Sequence, residues 1–164
     1  TYPLPEAQLD RFMFIINVDY PTLKQEVEIA LTTTSGINSK MDIVLNAEQI
    51  QEFQKLVPSV PVSQHVAEFA VRLAQSSRPN KNGTSLGFIN EWVDWGAGPR
   101  ASQYLLMGAK ACALMDNRVT ATIEDVKRVT RQVLEHRIIL NFKAEAENIT
   151  TTNVIEKLLK SVKT

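Results

Sequence analysis

Apolar residues recur at the spacing of an α-helix along most of this chain, and this periodicity limits the fold to a mainly α-helical one. From residue 21 onward they return every three or four positions, as on one face of a helix. The exception is an almost unbroken apolar run over residues 12–18, which predicts a buried β-strand. A strand needs neighbouring strands to bond with. We therefore expect a helical bundle preceded by one orphan strand, whose sheet is completed by strands upstream of residue 1.

Residues that commonly begin α-helices divide the helical part into five or six helices. These residues are Thr22, Asn46, Pro61, Pro99, Thr122 and, near the C-terminus, Thr151 or Thr152. Residues 76–87 are rich in Ser, Asn and Gly, and they predict a loop between two of the helices. No apolar run approaches the roughly 18–20 residues that a membrane helix requires, so we expect no membrane segment.

Composition excludes several classes of protein. The 164 residues suffice for about one domain, and 44% of them are hydrophobic, which is enough for a core. The 18 basic and 18 acidic side chains cancel, which argues against a polybasic nucleic-acid arm or an acidic tail. Cys112 is the single cysteine, so neither an internal disulfide nor a cysteine-based metal site fits. We expect a reducing, cytoplasmic setting and no nucleic-acid partner.

No catalytic motif is visible in the chain itself. A Gly-Lys dipeptide is absent, and with it the phosphate-binding loop, and neither a dinucleotide fingerprint nor a nucleophile elbow occurs. His65 and His136 are far apart, and neither has a second histidine at helical spacing, so no metal site is expected. Each is interpreted as a surface or partly packed histidine.

Two arginines stand where a guanidinium could meet an anion. Arg11 directly precedes the apolar run and is expected at the rim of a sheet; the alternative is a surface arginine paired with Asp10 or Glu6. Arg100 lies in the first turn of a helix, where a cation costs roughly 0.3–1 kcal/mol but an anion is favoured. Gly98 allows a ligand to approach the backbone there. The alternative is a plain loop-to-helix turn with a solvated arginine.

Two other groups of residues have simpler interpretations. Trp92 and Trp95 are expected to pack against the start of the helix that begins at Pro99. A row of basic residues follows one helical face and could touch nucleic acid, but acidic neighbours dilute it, so a solvated face is the better interpretation. The row consists of Lys127, Arg128, Arg131 and Arg137.

Three segments in order resemble the MoxR family of AAA+ ATPases. Residues 1–12 (Thr-Tyr-Pro-Leu-Pro-Glu-Ala-Gln-Leu-Asp-Arg-Phe) are similar to one family signature, and residues 92–102 (Trp-Val-Asp-Trp-Gly-Ala-Gly-Pro-Arg-Ala-Ser) to a second. Residues 133–138 (Val-Leu-Glu-His-Arg-Ile) resemble the pattern at the end of the family's lid. The resemblance runs from residue 1 to about residue 160.

The resemblance implies a division of the chain and a role for each arginine. Residues 1–20 are expected to be the tail of the AAA+ α/β core, and residues 21–164 the helical lid. Arg11 resembles the arginine finger, which reaches the γ-phosphate held by the neighbouring subunit. Arg100 resembles the sensor-2 arginine, which contacts nucleotide phosphates from the lid of its own subunit or close to it, together with Gly98 and Pro99.

The resemblance also implies properties of a longer parent protein. MoxR proteins form rings, typically hexamers, hydrolyse ATP with Mg²⁺, and often work with von Willebrand factor A domain proteins in complex assembly or metal insertion. Their phosphate loop and magnesium motif would lie upstream of Thr1, so we expect this chain to be inactive alone and to bind no cofactor tightly. The alternative is a helical protein- or DNA-interaction module without a nucleotide role.

Overall fold

The computed structural model describes residues 2–36, 42–80 and 86–163, and these are mainly α-helical, as the periodicity predicts. The elements, in chain order, are α1 (Glu6–Leu9), α2 (Leu23–Thr34), α3 (Ala47–Ser59), α4 (Gln64–Ser76), α5 (Gly87–Trp92), β1 (Val93–Trp95), α6 (Pro99–Met115), α7 (Ile123–Leu134), β2 (Ile139–Leu140), α8 (Phe142–Ala146) and α9 (Thr151–Ser161). None of the helices in these ranges combines the length and the hydropathy needed to span a bilayer.

The helix starts agree with the sequence to within a few residues. Thr22, Asn46 and Thr122 each cap a helix through a reciprocal capping box, which satisfies backbone N–H groups that the first turn leaves free. Pro99 is the first residue of α6, where its missing N–H costs nothing. The last helix begins at Thr151, with Thr150 as its cap. Of the predicted loop over 76–87, residues 81–85 lie outside the described residues.

The strand predicted over residues 12–18 is wrong. Residues 14–22 have no regular secondary structure, and the Ile15 N–H donates to the Gln132 carbonyl in α7 at 2.9 Å instead of to a strand. The Phe14 ring lies against Gly108 in α6. The segment touches the α6–α7 pair at Phe14 and Ile15, but the predicted burial is not observed either, since Ile16 is 75% and Val18 88% exposed.

The one sheet formed by the described residues is short and was not anticipated from the sequence. β1 and β2 run antiparallel, with Val93 opposite Leu140 and Trp95 opposite Ile139. The pairing joins the residues just before α6 to the residues just after α7. It therefore holds the start of α6 next to the end of α7.

The core is built by α4, α6, α7 and α9 around fully buried side chains. The largest of these are Phe69, Leu73, Leu105, Val126, Val133, Leu134, Ile155 and Leu158. Small residues on α6, such as Gly108 and Ala109, let α7 approach closely, and a Cβ at Gly108 would lie 3.1 Å from a Val129 methyl. By contrast, no residue of α2 is buried, so its predicted apolar face is exposed.

The turn between β1 and α6 is held by the end of α4. The Ser77 hydroxyl accepts a hydrogen bond from the Ala97 N–H at 2.9 Å, and the Arg78 guanidinium donates to the Ala97 carbonyl at 2.8 Å. Gly96 is buried against this junction. A Cβ there would overlap the Ser77 carbonyl and lie 2.6 Å from the Arg78 Cα, so the backbone itself leaves no room for a side chain.

We expect Gly96→Ala to lower the free energy of unfolding by about 1–3 kcal/mol, because overpacking against backbone cannot be relieved by a rotamer change. Urea unfolding measures this. The matched control is Gly87→Ala, since nothing lies within 4 Å of a Cβ at Gly87. Equal unfolding midpoints for the two variants would contradict the close approach.

A bidentate ion pair fixes the start of α7. Arg118 donates from Nη1 to Asp125 Oδ2 at 2.7 Å and from Nη2 to Oδ1 at 2.5 Å, and the Thr122 N–H donates to the same carboxylate at 2.8 Å. Asp125 is buried. These hydrogen bonds, with Arg118 the largest contributor, lower the pKa of Asp125 from 3.8 to about 2.

Because this pKa is depressed, the pair stabilises the fold above about pH 4 and its contribution is lost as the pH falls toward 2. We expect Asp125→Asn to cost about 2 kcal/mol at pH 7 and to flatten the loss of stability between pH 4 and pH 2. The control is Glu124→Gln at the exposed neighbouring position. Urea unfolding across this range measures it, and an unchanged pH profile for Asp125→Asn would refute it.

Candidate functional site

Arg11 lies in the turn that follows α1, and its side chain is exposed. Its guanidinium forms no hydrogen bond or ion pair with any residue that the structure describes. The predicted alternative, a pair with Asp10 or Glu6, is therefore not formed. Asp10 is engaged by two other arginines. Arg11 is left available to contact a group outside the chain.

Arg100 is the second residue of α6, and its side chain is 49% exposed. Its Nη1 donates to Asp10 Oδ2 at 2.8 Å, so a carboxylate of the chain itself occupies the guanidinium. The helix starts at Gly98 without a side-chain cap, and a Cβ at Gly98 would meet nothing within 4 Å. Pro99 and Gly98 line an open surface pocket of about 400 Å³ next to Arg100.

The structure thus brings together the two arginines that the sequence singles out. Arg100 is bonded to Asp10, and Arg11 is the next residue in the chain. The sequence places them 89 positions apart, and nothing in the local pattern predicts that they meet. The N-terminal turn after α1 meets the first turn of α6 here, and we call this region, which contains Arg11, Arg100 and Asp10, the charged edge.

Arg137 completes this site, and the sequence analysis missed it. Its side chain is only 1% exposed, so the predicted solvated face is wrong for this residue. Its Nε donates to Asp10 Oδ1 at 3.0 Å, and its Nη2 donates to the carbonyls of Asp10 and Phe12 at 2.8 and 2.6 Å. The signal that could have found it is its position in segment 133–138, which resembles a family pattern, directly before the apolar residues 138–140.

The other members of the predicted basic row are more exposed and are paired with acidic residues. Lys127 binds Glu124 at 2.7 Å, Arg128 binds Asp116 at 3.4 Å, and Arg131 binds Glu135 at 3.1 Å. Their charges are therefore largely compensated on the helix surface, where such pairs are worth little. The solvated-face interpretation holds for these three residues.

A cavity of about 280 Å³ lies behind the charged edge. It is lined by Glu6, Ala7, Asp10, Trp95, Gly96, Gly98, His136, Arg137 and Ile139. Burial, followed by the charge of Arg137, lowers the pKa of His136, so the ring is neutral near pH 7. Its Nε2 lies 2.6 Å from Arg137 Nη1 and 3.1 Å from the Phe12 carbonyl oxygen.

Of the remaining candidate residues, His65 and Trp92 lie away from the charged edge, and Trp95 lies beside it. His65 is exposed and contacts Ser63 at 3.0 Å. Trp92 is packed, but its Nε1 donates to Glu147 and its ring faces Lys157, whereas Trp95 is 69% exposed. The packing against the start of α6 predicted for both tryptophans is therefore wrong for Trp95, and the contacts of Trp92 are with Phe88, Lys157 and Glu147 instead. Within the described ranges, no cluster of metal-ligating side chains occurs.

Comparison with known proteins identifies relatives over nearly the whole chain. Residues 89–158 match the family model described as the AAA lid domain. The chain is 34% identical to the chaperone MoxR1 of Mycobacterium tuberculosis, covering 98% of this chain and 42% of that protein. It is 27% identical to the protein MoxR of Paracoccus denitrificans, covering 86% of this chain and 44% of that one.

A solved structure agrees with these matches. The crystal structure of a Cytophaga hutchinsonii protein assigned as an ATPase superposes with a TM-score of 0.86 at 34% identity. The match covers 99% of this chain and 49% of that protein. The chain thus spans less than half the length of the curated relatives above.

We expect Asp10→Asn to lower the free energy of unfolding by about 1–3 kcal/mol, because it leaves the buried Arg137 charge without its carboxylate. The matched control is Asp19→Asn at an exposed position of the same segment. Urea unfolding of both variants measures the difference. If the two substitutions cost the same, the Arg137 guanidinium does not depend on Asp10.

Proposed function

Since this chain belongs to the MoxR family of AAA+ ATPases and carries the AAA lid domain, we propose that it couples the nucleotide state of a ring of subunits to the position of its helices. Residues 1–20 serve as the end of the α/β core and residues 21–164 as the lid. ATP with Mg²⁺ supplies the phosphoryl group that the full-length protein hydrolyses. The chain's own residues sense that group, contact the next subunit and transmit the motion.

The observation that carries this proposal is the exposed ion pair of Arg100 with Asp10, next to an arginine whose side chain is unpaired within the described residues. Arg100 is paired with Asp10, and the unpaired Arg11 follows Asp10 in the chain. A planar guanidinium suits bidentate contact with phosphate oxygens. Arg11 acts as the arginine finger on the nucleotide of the neighbouring subunit, and Arg100 acts as sensor 2 beside the first turn of α6, with Gly98 and Pro99 leaving room at the backbone.

The exposure of the two partners of Asp10 explains how Arg100 can respond to phosphate. The Arg100–Asp10 pair is half-exposed, and such pairs are worth only about 0–1 kcal/mol. Arg100 therefore exchanges Asp10 for a phosphate oxygen at little cost. Arg137, at 1% exposure, keeps Asp10 in place during this exchange. When the phosphate leaves, Arg100 pairs with Asp10 again and the first turn of α6 returns to the position seen in this structure.

The wider role follows the relatives. One of them is a chaperone by name, which supports a chaperone-like function in complex assembly or metal insertion. The full-length protein acts as a cytoplasmic hexameric ring, and von Willebrand factor A domain proteins are the partner class to test first. The role of Arg11 as an arginine finger requires assembly into a ring, because such a finger acts on the nucleotide bound by a neighbouring subunit.

We expect Arg11→Ala in the full-length protein to lower the kcat of ATP hydrolysis by about 10³-fold or more, as loss of an arginine finger does elsewhere. Arg100→Ala should lower kcat by at least about tenfold and raise the KM for ATP, because the guanidinium also binds the ground state. Steady-state ATP turnover measures both.

The matched control for both variants is Arg72→Ala, an exposed arginine on α4, which should keep normal turnover. Normal turnover of either Arg11→Ala or Arg100→Ala would remove the role assigned to that residue. The 164-residue chain alone should neither hydrolyse ATP nor bind it tightly. Hydrolysis by the chain alone would place a catalytic site within it and overturn the assignment as a lid.

A further inference from the structure

The backbone on both sides of Arg11 is held by two side chains of the lid. Arg137 donates to the carbonyls of Asp10 at 2.8 Å, Phe12 at 2.6 Å and Met13 at 3.4 Å. The Tyr104 hydroxyl donates to the carbonyl of Arg11 itself at 3.0 Å. All the carbonyls of residues 10–13 thus accept hydrogen bonds from the lid, although these residues form no helix or strand with it.

The Arg137 guanidinium, which makes most of these hydrogen bonds, is held by further contacts. Its Nη1 also donates to the Val133 carbonyl at 2.5 Å, which ties it to the end of α7. Its Cζ lies 5.1 Å from the centre of the Tyr104 ring, within the range of a cation–π contact. A buried charge held by carbonyls, a carboxylate and an aromatic face is costly to displace, since each unmade bond leaves a desolvated polar group.

We propose that Arg137 and Tyr104 are positioning residues for Arg11, which hold the finger in register with the lid. The inference rests on the function proposed above for Arg11. Arg137 follows the C-terminal end of α7, and Tyr104 lies in α6. Both side chains donate hydrogen bonds to the turn that carries Arg11. A movement of the α6–α7 pair therefore moves the Arg11 backbone with it. In a ring, the lid of one subunit would then adjust catalysis at the nucleotide of its neighbour.

A positioning role and a merely structural role make different predictions for kinetics. If Tyr104 acts through Arg11, removing Arg11 makes its substitution irrelevant to kcat. The effect of Arg137, which also holds Asp10, the partner of Arg100, becomes smaller in that background but does not vanish. If the two residues only support the fold, their effects multiply with that of Arg11→Ala. A double-mutant cycle on kcat therefore separates the two roles.

The experiment measures ATP hydrolysis by the full-length protein carrying Tyr104→Phe, Arg137→Lys or Arg11→Ala, and each of the first two combined with Arg11→Ala. Tyr104→Phe removes one hydroxyl and keeps the ring, and it should lower kcat by about threefold to tenfold. Arg137→Lys keeps the charge but loses the fork, and it should lower kcat by about 10²-fold, the effect of a misplaced catalytic group. Tyr104→Phe should change the KM for ATP by no more than about twofold, whereas Arg137→Lys should also raise it, because Arg137 holds Asp10, the partner of Arg100.

In the Arg11→Ala background, Tyr104→Phe should lower kcat by less than about twofold further, and Arg137→Lys should lower it by less than it does alone. The matched controls are Tyr20→Phe, whose side chain is 98% exposed, and Arg131→Lys on the surface of α7; both should leave kcat unchanged. Thermal unfolding of each variant identifies loss of the fold. If Arg137→Lys does not fold, Tyr104→Phe with its double mutant decides the question.

The outcomes distinguish this inference from the function on which it rests. If Arg11→Ala lowers kcat but the other two effects persist undiminished in its background, the positioning role is refuted and the finger stands. If Tyr104→Phe and Arg137→Lys both leave kcat unchanged while Arg11→Ala lowers it, the positioning role is likewise refuted. Normal turnover of Arg11→Ala itself would refute the finger, and the positioning role with it.

Discussion

The burial of the Arg137 guanidinium is the constraint on which the functional edge of this molecule depends. A buried charge is tolerated only when it is paired and its hydrogen bonds are made. The core helices supply one of these bonds, from the Val133 carbonyl, and the others must come from elsewhere. They come from residues 10–13 and the Asp10 carboxylate. An otherwise irregular N-terminal segment is thereby fixed to the end of the lid, more than 120 residues away in the chain.

Asp10 then serves two arginines in different ways because its surroundings are asymmetric. On one side it neutralises a charge that water cannot reach, and removing that contact would leave Arg137 uncompensated. On the other side it pairs with Arg100, whose side chain is half-exposed and can bind another anion at little cost in free energy. One carboxylate can therefore release one partner while retaining the other. This asymmetry suits a residue placed between a fixed structural contact and a contact that changes with the ligand.

The sequence predicts those features that are decided locally. The starts of α2, α3 and α7 depend on a cap residue and the residue three positions later, so Thr22, Asn46 and Thr122 could be identified without tertiary information. The buried strand predicted over 12–18 was wrong because both its burial and its strand state depend on a partner elsewhere, and within the described residues the segment is mostly exposed. Arg137 was missed for the same reason: its burial is decided by Asp10, and a basic residue beside exposed arginines predicts solvent. The sequence singles out Arg11 and Arg100, but the carboxylate that Arg100 shares with Arg137 depends on tertiary contacts.

The close packing of α6 on α7 determines whether a displacement at Arg100 also displaces other parts of the molecule. Arg100 is in the first turn of α6, and Arg137 follows the end of α7, and the β1–β2 pairing joins the same two regions. Between them, Gly108 lies so near Val129 that even one added methyl group would require a shift. Interiors packed at this density transmit displacements instead of absorbing them. In the proposed exchange of Asp10 for phosphate, a shift of α6 would therefore move α7 and, through Arg137, the turn that carries Arg11.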